Sequence, residues 1–549
     1  MNMRQELLLR TRVPKEYWPP ADAWPSIRPT RLVPWTEDFN LAEYLVERNL
    51  DEGREQKRAV FFRDKFLSYG QLSQMSNKLG SSLKRLGIRS GDRVAIRMTN
   101  SPEFVISDMA IQKIGAILVP LFVLLKAPSI AHILKDAEVR AVIVDAGLID
   151  EVEKAGIGDG VNVIVYGGNE AHTSKNYLLW ERLLEEGDKN AKSENIYYHD
   201  AAMIHYTSGT TGSPKGCIQT PVGILGHVAE TVNRAGLRED DILSIAPPLP
   251  FAYGHAAVMY ALCVGGSCIL MERFSVEEFL SQAECYRATV LVGVPTTYRM
   301  MLPEIPKYDL SSVRLLMTAG ETFTEELESS LKKILPKVKF FNSYGYTEMW
   351  NFIGTIPGVH SATSLGIPYD GYEVKIVDEQ TGKEVGVGEV GVIKACGAAG
   401  TLYWRIPDKQ SLVVSNGMFY SGDLAYRDEQ GVFWFKARDV DIIKSSGYLI
   451  APYEIEGVLS SHPAVAIVGC IGVPDPVKGE IIKAFVKLKA EFQPSEKLIA
   501  ELERFAEEKL EKYKVPKAWE FIQEMPVTAS GKTMRRGLKE LELKKKTAG

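Results

Sequence analysis

One segment of the sequence combines the residue types that bind a polyphosphate. Residues 206–216 read Tyr-Thr-Ser-Gly-Thr-Thr-Gly-Ser-Pro-Lys-Gly and directly follow a predicted strand, Ala202 to His205. Glycines let backbone N–H groups turn toward an anion, hydroxyl side chains add donors, and Lys215 adds positive charge. The candidate phosphate-binding residues are Thr207, Ser208, Gly209, Thr210, Thr211, Gly212 and Lys215. A flexible surface loop is the alternative, which this long run of specified residues disfavours.

The lysine of this segment is followed by Gly216 and not by a hydroxyl residue. A Walker A loop requires the order Gly-Lys-Ser/Thr, because the hydroxyl after the lysine holds Mg²⁺. The sequence therefore predicts a phosphate site of another kind, in which any metal ion is held elsewhere.

The segment resembles the signature loop of the acyl-adenylate-forming superfamily. That superfamily contains the acyl-CoA synthetases, the adenylation domains of peptide synthetases and firefly luciferase. Its other motifs have similar segments here, in the same order, and together they cover nearly the whole chain. These segments are residues 342–348 (adenine and magnesium), 420–424 (ribose), 437–447 (interdomain hinge) and 526–532 (C-terminal lysine).

The resemblance implies a role for each matching residue. The adenine and the neighbouring pocket would be lined by Gly320, Glu321, Thr322, Asn342, Ser343, Tyr344, Gly345, Tyr346 and Thr347. Thr347 and Glu348 would hold Mg²⁺, a hard ion that prefers oxygen ligands. Asp423 would accept hydrogen bonds from both ribose hydroxyls, and Arg438 would donate to the ribose or to phosphate. Lys532 would bridge the α-phosphate and the substrate carboxylate.

The coenzyme A site and the hinge follow from the same resemblance. Ser446, Gly447 and Tyr448 would lie beside the pantetheine tunnel, and Lys478 would lie near the nucleotide of the coenzyme. Ala437 stands where relatives usually carry a glycine, and Val440 occupies the usual hinge position, about which the C-terminal domain of relatives rotates between the two reaction steps. Two interpretations stay open: Asp439 or Asp441 takes over as the hinge residue, or the pivot shifts.

Some residues leave two interpretations open. His255 ends the segment 251–255, which resembles the aromatic motif beside the substrate carboxylate. It would act as a catalytic residue that orients or gates the acyl group, or it is a core histidine. Trp350 and Phe352 would shape the acyl pocket, and core packing explains them equally well.

Three functions follow as hypotheses. The first is an AMP-forming acyl-CoA ligase that uses ATP, Mg²⁺ and coenzyme A. Segments near residues 445–452 and 474–480, with the Pro/Trp-rich N-terminal arm, look closest to the medium-chain and benzoate or 2-aminobenzoate CoA ligases. The second is an enzyme that charges a carrier protein. The third is a non-catalytic nucleotide-binding relative, which Lys532, Glu348 and Asp423 together disfavour.

The elements that must position these residues alternate between strands and helices. Leu72, Met75, Leu79 and Leu83 recur at helical spacing, and Gly87 can end that helix. Strands separated by helices predict an α/β fold with parallel sheets covered on both faces. Past residue 375 a small β-barrel-like subdomain is predicted, followed by an α+β unit. The predicted domains are residues 1–438, which bind ATP and acid, and a mobile C-terminal domain, 439–549.

Composition narrows the remaining possibilities. The 549 residues carry 65 Lys and Arg against 70 Asp and Glu, a net charge of −5, which argues against a nucleic-acid-coating protein. Six cysteines without a Cys-x-x-Cys pair predict reduced thiols and a cytoplasmic protein. The apolar run Ile114 to Leu125 is too short to span a bilayer, and the N-terminus lacks the apolar core of a signal peptide. The expected partner is a small carboxylic acid, and both a monomer and a homodimer remain open.

Overall fold

The computed structural model describes residues 13–36, 39–207, 214–400, 402–438, 443–445, 448–450, 452–475, 479–510, 512–527 and 535–548. The chain divides into two compact units. The first consists of residues 1–375 and 394–421, and the second of residues 376–393 and 422–549. The predicted domain boundary adjoins residues 439–442, which lie outside the described residues, and it stays a prediction.

The first unit contains an eight-stranded sheet. Its spatial order is Leu402–Tyr403, Lys215–Gln219, Met203–Thr207, Ile117–Pro120, Arg93–Arg97, Val139–Asp145, Asn162–Tyr166 and Leu178–Leu179. The last six strands are parallel to one another, and the first two pairings, Leu402–Tyr403 with Lys215–Gln219 and Lys215–Gln219 with Met203–Thr207, are antiparallel. Short β-branched runs such as Val142–Val144 are fully buried, as expected for strands covered on both faces.

A nine-stranded sheet completes the first unit. Its order is Ile367–Pro368, Trp350–Gly354, Lys339–Tyr346, Leu315–Ala319, Val290–Gly293, Ile242–Ile245, Ser267–Leu270, Arg58–Phe62 and Lys65–Ser68. The six strands from Lys339–Tyr346 to Arg58–Phe62 are parallel to one another, and the outer strands pair antiparallel. Parallel strands bring their carboxyl ends to one edge, where loops can carry a site.

Helices connect these strands, and local sequence fixes their ends. The helix Tyr69–Arg85 begins at Ser68, whose hydroxyl accepts from the N–H of Gln71 while the Gln71 side chain accepts from the N–H of Ser68. Gly87 follows with φ of 88°, the left-handed conformation that the sequence predicts after this helix.

The other helices of the first unit are Arg48–Asp51, Pro102–Lys113, Ala127–Asp136, Ile149–Lys154, Glu170–Thr173, Trp180–Glu186, Pro221–Ala235, Ala252–Cys263, Val276–Cys285, Pro295–Met301, Glu325–Ile334 and Pro407–Val413. The N-terminal arm has short 3₁₀ turns at Lys15–Tyr17 and Ala21–Ala23. It is anchored by Trp24, which is 6% exposed and donates from Nε1 to the carbonyl of Pro19. No helix within the described residues is long and apolar enough to cross a membrane.

The second unit contains its own sheet and core. The strands Tyr448–Ile450, Ile443–Ser445, Gly479–Leu488 and Val465–Asp475 lie in that order, and Ala518–Phe521 pairs with Gly479–Leu488. The helices are Pro452–Ser460, Glu496–Lys509 and Arg535–Ala548. Ile455, Leu459, Cys470 and Leu502 belong to one buried apolar cluster. This α+β arrangement agrees with the sequence prediction for the C-terminal part.

Five strands lie around the positions where the chain passes from one unit to the other. They are Glu373–Val377, Gly391–Cys396, Val414–Ser415, Met418–Arg427 and Phe433–Arg438. They fall in the region where the sequence predicts a change to a small β subdomain past residue 375. The mixed α/β fold is therefore confirmed, with a large body of parallel sheets and a smaller C-terminal part.

Candidate active site

The predicted phosphate segment joins two paired strands of the eight-stranded sheet. Met203–Thr207 leads into it and Lys215–Gln219 leads out, and Thr207 is the register partner of Lys215. The structure thus brings these two predicted residues together. Residues Ser208, Gly209, Thr210, Thr211 and Gly212 lie outside the described residues, so their phosphate contacts stay predictions.

Packing explains why a glycine follows Lys215. A Cβ atom at Gly216 would lie 2.8 Å from Cγ2 of Ile204 and 3.0 Å from Cβ of Trp404. Real Cβ atoms almost never approach other atoms so closely, because the overlap is repulsive. A serine or threonine of the Walker A type would not fit at this position.

The second predicted segment lies at the carboxyl edge of the nine-stranded sheet. Ala319 is the register partner of Ser343 in neighbouring parallel strands, so Gly320 and the segment 344–348 emerge at the same edge. The side chains of Asn342, Ser343 and Tyr344 are buried, whereas residues 345–348 are half-buried and open to a ligand.

A close backbone approach fixes one residue of this segment. A Cβ at Gly345 would lie only 1.7 Å from the carbonyl oxygen of Trp350, so any other residue would force the two strands apart. Trp350 itself has φ of 54°, which is rare for a bulky side chain and indicates backbone strain. Such strain persists only where surrounding packing holds it, and it is often found at functional sites.

Two hydrogen bonds connect the strand Lys215–Gln219 and its neighbour Leu402–Tyr403 to the predicted magnesium residues. Nε2 of Gln219 donates to the carbonyl oxygen of Thr347 at 2.6 Å. The hydroxyl of Tyr403 donates to Oε1 of Glu348 at 2.7 Å. Tyr403 is the register partner of Cys217, so it stands beside the same strand that begins at Lys215. These bonds hold the Glu348 carboxylate near the strand Lys215–Gln219.

Electrostatics keeps Tyr403 a hydrogen-bond donor. Burial, followed by the charge of Glu348, raises the pKa of the Tyr403 hydroxyl far above its ordinary value. The phenol therefore stays protonated at neutral pH and donates to the Glu348 carboxylate. Burial, with Glu348 as a further cause, also raises the pKa of the Cys217 thiol well above its ordinary value, so this cysteine is not a nucleophile.

Glu321 has a local partner in the structure. Its Oε2 accepts from the backbone N–H of Thr296 at 3.0 Å and from the Thr296 hydroxyl at 2.8 Å. This carboxylate therefore supports the first turn of the helix Pro295–Met301 at the same edge of the sheet. Its contact with a nucleotide stays a prediction, as do those of Gly320 and Thr322.

Asn342 makes two hydrogen bonds within the protein. Its Nδ2 donates to the carbonyls of Ala362 at 2.8 Å and Ser364 at 2.9 Å, and the residue is 5% exposed. An amide nitrogen carries two hydrogens, and both are donated to the protein. Both amide hydrogens therefore hold the segment 362–364, and contact of Asn342 with a base stays a prediction.

We expect Asn342→Ala to lower the free energy of unfolding by about 2–4 kcal/mol, since two buried carbonyls lose their donors. Urea denaturation measures the loss, and Asn190→Ala at an exposed position provides the matched control. Unchanged stability combined with a raised KM for ATP would instead assign Asn342 to nucleotide binding.

The aromatic residues of the segment form a packed group. Phe352 is fully buried, and its ring lies 5.4 Å from the rings of Tyr344 and Tyr346 and stacks on Tyr372 at 6.2 Å, centroid to centroid. The core interpretation of Phe352 therefore accounts for its position. Trp350 is also buried, with its ring 5.1 Å from that of His227.

His255 lies on the first turns of the helix Ala252–Cys263 and is 2% exposed. Its Nε2 is 2.7 Å from Oδ2 of the buried Asp108. A carboxylate that faces one imidazole nitrogen fixes the tautomer and the orientation of the ring. His255 is therefore a buried, oriented histidine, and its action on an acyl group stays a prediction.

Asp423 and Arg438 belong to the second unit. They are register partners in the strands Met418–Arg427 and Phe433–Arg438, and Asp423 is 5% exposed. Tyr448 lies opposite Ser445 in a short antiparallel pair. Ser446, Gly447, Lys478 and Lys532 lie outside the described residues.

Several residues of the site have no signal in the sequence. Gln219, Tyr403 and Asp108 are far along the chain from Thr347, Glu348 and His255. Only strand pairing and sheet packing bring them together. A polar residue on an otherwise buried strand, such as Gln219, can be recognised in the sequence, but its hydrogen-bond partner cannot.

The fold and the site define a class of enzymes that bind ATP and join an acid to a thiol. A family model described as AMP-binding enzyme matches residues 46–401, and one described as AMP-binding enzyme C-terminal domain matches residues 454–532. The chain belongs to this family, and it is an enzyme of the AMP-forming acid–thiol ligase class, as its motifs predict.

Individual relatives are similar over nearly the full length. The acetyl-coenzyme A synthetase of Bacillus subtilis (strain 168) is 32% identical over 525 residues, covering 92% of this chain and 91% of the relative. An anthranilate CoA ligase in complex with anthranoyl-AMP superposes with a TM-score of 0.86 at 31% identity, over 93% of this chain and 99% of that one. For a benzoate CoA ligase from Burkholderia xenovorans the TM-score is 0.81 at 29% identity, over 91% of this chain and 99% of that one.

Proposed function

We propose that the protein makes an acyl-CoA from a benzoate- or 2-aminobenzoate-like aromatic acid or from a medium-chain acid. ATP and the acid give an acyl adenylate and pyrophosphate, and the thiol of coenzyme A then displaces AMP. The observation that carries the proposal is the pair of bonds from Gln219 to Thr347 and from Tyr403 to Glu348. They hold the strand that starts at Lys215 beside the carboxylate proposed to hold magnesium.

The two steps require charge stabilisation more than a protein nucleophile. A carboxylate attacks the α-phosphorus, the bond to the pyrophosphate oxygen breaks, and pyrophosphate leaves with its electron pair. The thiol sulfur then attacks the acyl carbon, its proton is lost, and AMP leaves. Negative charge shifts among phosphate oxygens in both steps, so cations and oriented N–H donors lower the barriers. Lys215, the segment 208–213 and Lys532 are the residues proposed for this task.

The donor set around Glu348 fits magnesium. Mg²⁺ is usually held by one or two carboxylates and by substrate phosphates, with several waters, and not by an all-protein cage. Within the part of the chain that the structure describes, no group of three or more His, Cys, Asp or Glu side chains is arranged to hold a metal. We propose that the Glu348 carboxylate and the Thr347 hydroxyl hold the ion, which would neutralise phosphate charge when bound.

The ribose and the coenzyme are assigned to the second unit. We propose that Asp423 and Arg438 bind the ribose, and that Ser446, Gly447, Tyr448 and Lys478 bind coenzyme A. A bulky side chain at Gly447 would then obstruct the tunnel that the thiol must pass through.

Gly447→Leu is expected to reduce the thioester step at least about 10-fold while adenylation changes less, because only the second step needs the tunnel. Single-turnover release of AMP from preformed acyl adenylate measures the second step, and ATP–pyrophosphate exchange measures the first. Unaltered kinetics with respect to coenzyme A would remove Gly447 from the tunnel.

One experiment tests the function directly. Acid-dependent ATP–pyrophosphate exchange is measured across a panel of aromatic and medium-chain acids, followed by CoA-dependent release of AMP. The proposal predicts both activities with the same acids. Exchange without CoA-stimulated turnover would favour an enzyme that charges a carrier protein, and no exchange with any acid would favour a non-catalytic relative.

The cellular setting is part of the proposal. Burial raises the pKa of the Cys268 thiol to about 12, so this thiol stays protonated at neutral pH. We propose a cytoplasmic enzyme whose partner is a small carboxylic acid and not a nucleic acid.

A further inference from the structure

The ring of His205, in the strand Met203–Thr207, lies next to two other nitrogen-bearing rings, those of His255 and Trp350. The ring centroids of His205 and His255 are 5.9 Å apart, and that of Trp350 is 6.0 Å from His205. The three residues are 4%, 2% and 3% exposed. Rings this close are in contact, so an extended alkyl chain cannot pass between them.

These rings carry polar atoms without a protein partner. Both ring nitrogens of His205, Nδ1 of His255 and Nε1 of Trp350 are buried and have no hydrogen-bond partner in the protein. The neighbouring His227 is different, because its Nδ1 faces the carbonyl of Asn351 at 3.1 Å and its Nε2 faces the hydroxyl of Tyr260 at 2.7 Å. A buried polar atom without a partner costs about 1–3 kcal/mol, so four of them in one place need a reason.

The two unsatisfied histidines offer complementary atoms. Burial, with His255 as a neighbour, lowers the pKa of His205 to about 3, so its imidazole is neutral and has one donor and one acceptor nitrogen at pH 7. In the neutral form of His255, Nε2–H donates to Asp108 and Nδ1 is an acceptor. A hydroxyl oxygen both donates and accepts, so it can pair with an acceptor nitrogen of one ring and a donor nitrogen of the other.

His205 also lies close along its strand to Thr207, which belongs to the predicted phosphate segment. It precedes Thr207 by two residues in the strand Met203–Thr207, so the two side chains lie on one face, about 6.6 Å apart along the strand. Trp350 is the register partner of Tyr346 in the nucleotide segment. The spacing between His205 and Thr207 is roughly the length of one six-membered ring. If the carboxylate of the acid lies near Thr207 and Lys215, the opposite end of such a ring would therefore lie near His205.

We propose that His205 and Nδ1 of His255 hydrogen-bond a hydroxyl or amino substituent of the acid. This inference rests on the proposed function and narrows its substrate to a compact acid with such a substituent. His205 is then a residue that determines specificity, and Asp108 positions His255 for the same contact. Unsubstituted aromatic and medium-chain acids would leave the buried nitrogens unpaired and would be poor substrates.

The test compares acids in matched pairs. The value of kcat/KM for CoA-dependent AMP release is measured for benzoate against the 2-, 3- and 4-hydroxy- and aminobenzoates, and for hexanoate against 6-hydroxyhexanoate. The proposal predicts that at least one hydroxylated or aminated acid exceeds its unsubstituted partner by about 10- to 100-fold. Because this comparison uses the wild-type chain, it does not depend on the folding of any variant.

His205→Phe then assigns the preference to this ring. Phenylalanine keeps the ring and removes both unpartnered nitrogens, so we expect the preference to fall to within about threefold while the melting temperature stays equal or rises. His172→Phe, at a half-buried position on the helix Glu170–Thr173 and outside the proposed site, is the matched control and should preserve the preference. Equal kcat/KM values for substituted and unsubstituted acids, or a preference that survives His205→Phe, would overturn this inference and leave the ligase function intact. The absence of turnover with every acid would instead contradict the proposed function.

Discussion

Replacing Lys532 with alanine is expected to reduce acid-dependent ATP–pyrophosphate exchange by about 100- to 1000-fold, the loss found when one charge-stabilising donor is removed from a reacting site. Release of AMP from a preformed acyl adenylate by coenzyme A is expected to stay within a few-fold of wild type. The reason is that the motif assigns Lys532 to a bridge between the α-phosphate and the carboxylate, and this bridge exists only while the adenylate forms.

The two steps are separated by single-turnover experiments, one started with ATP and acid and the other with the adenylate. Lys497→Ala, at an exposed position of the helix Glu496–Lys509, serves as the control for the loss of one lysine in the second unit. Equal losses in both steps would show that Lys532 supports the fold or both reactions, and would contradict the assigned role.

The second large effect is expected for Glu348→Gln. Glutamine keeps the shape of the side chain and can still accept from the Tyr403 hydroxyl, so the local packing should survive. The negative charge that is proposed to hold Mg²⁺ is lost. We expect kcat/KM for ATP to fall by about 100- to 1000-fold, with residual activity that needs a higher Mg²⁺ concentration.

Tyr403→Phe distinguishes the effect of the Glu348 charge from the effect of the hydrogen bond that Tyr403 donates to it. This variant keeps the Glu348 carboxylate and removes only its 2.7 Å donor, so a loss below about 10-fold is expected. A magnesium titration of both variants with unfolding curves gives the comparison. If Tyr403→Phe lost as much activity as Glu348→Gln, or if the magnesium requirement of Glu348→Gln did not change, the carboxylate would act by positioning the strand and not by holding the ion.

Local patterns in the sequence predicted much of the fold. The helix that ends before Gly87 and the strand before the phosphate segment are present, the latter as Met203–Thr207, where the sequence suggested Ala202 to His205. The α+β unit predicted for the C-terminal part is present, with the helices Pro452–Ser460 and Glu496–Lys509. Periodicity and turn residues are local properties, so they can be recognised without knowing the fold, whereas the ends shift by a residue because hydrogen bonds to other strands decide them.

The candidate site was predicted less completely. The motifs suggest that Lys215, Thr347 and Glu348 bind phosphate and magnesium and that Asn342 lines the adenine pocket, and these roles stay predictions. They do not reveal that both amide hydrogens of Asn342 are donated to Ala362 and Ser364. An asparagine in a motif looks the same in the sequence whether its partner is a ligand or a carbonyl twenty residues away. Only packing shows which partner is there.

The sequence by itself determined the enzyme class, the order of the motifs and the alternation of strands and helices, because each of these depends on residue types at short spacing. The tertiary structure alone decided which distant residues meet. It placed Gln219 against Thr347, Tyr403 against Glu348 and His205 against His255. Sheet order and strand register create such contacts, and these depend on the summed packing of the whole chain and not on any one segment.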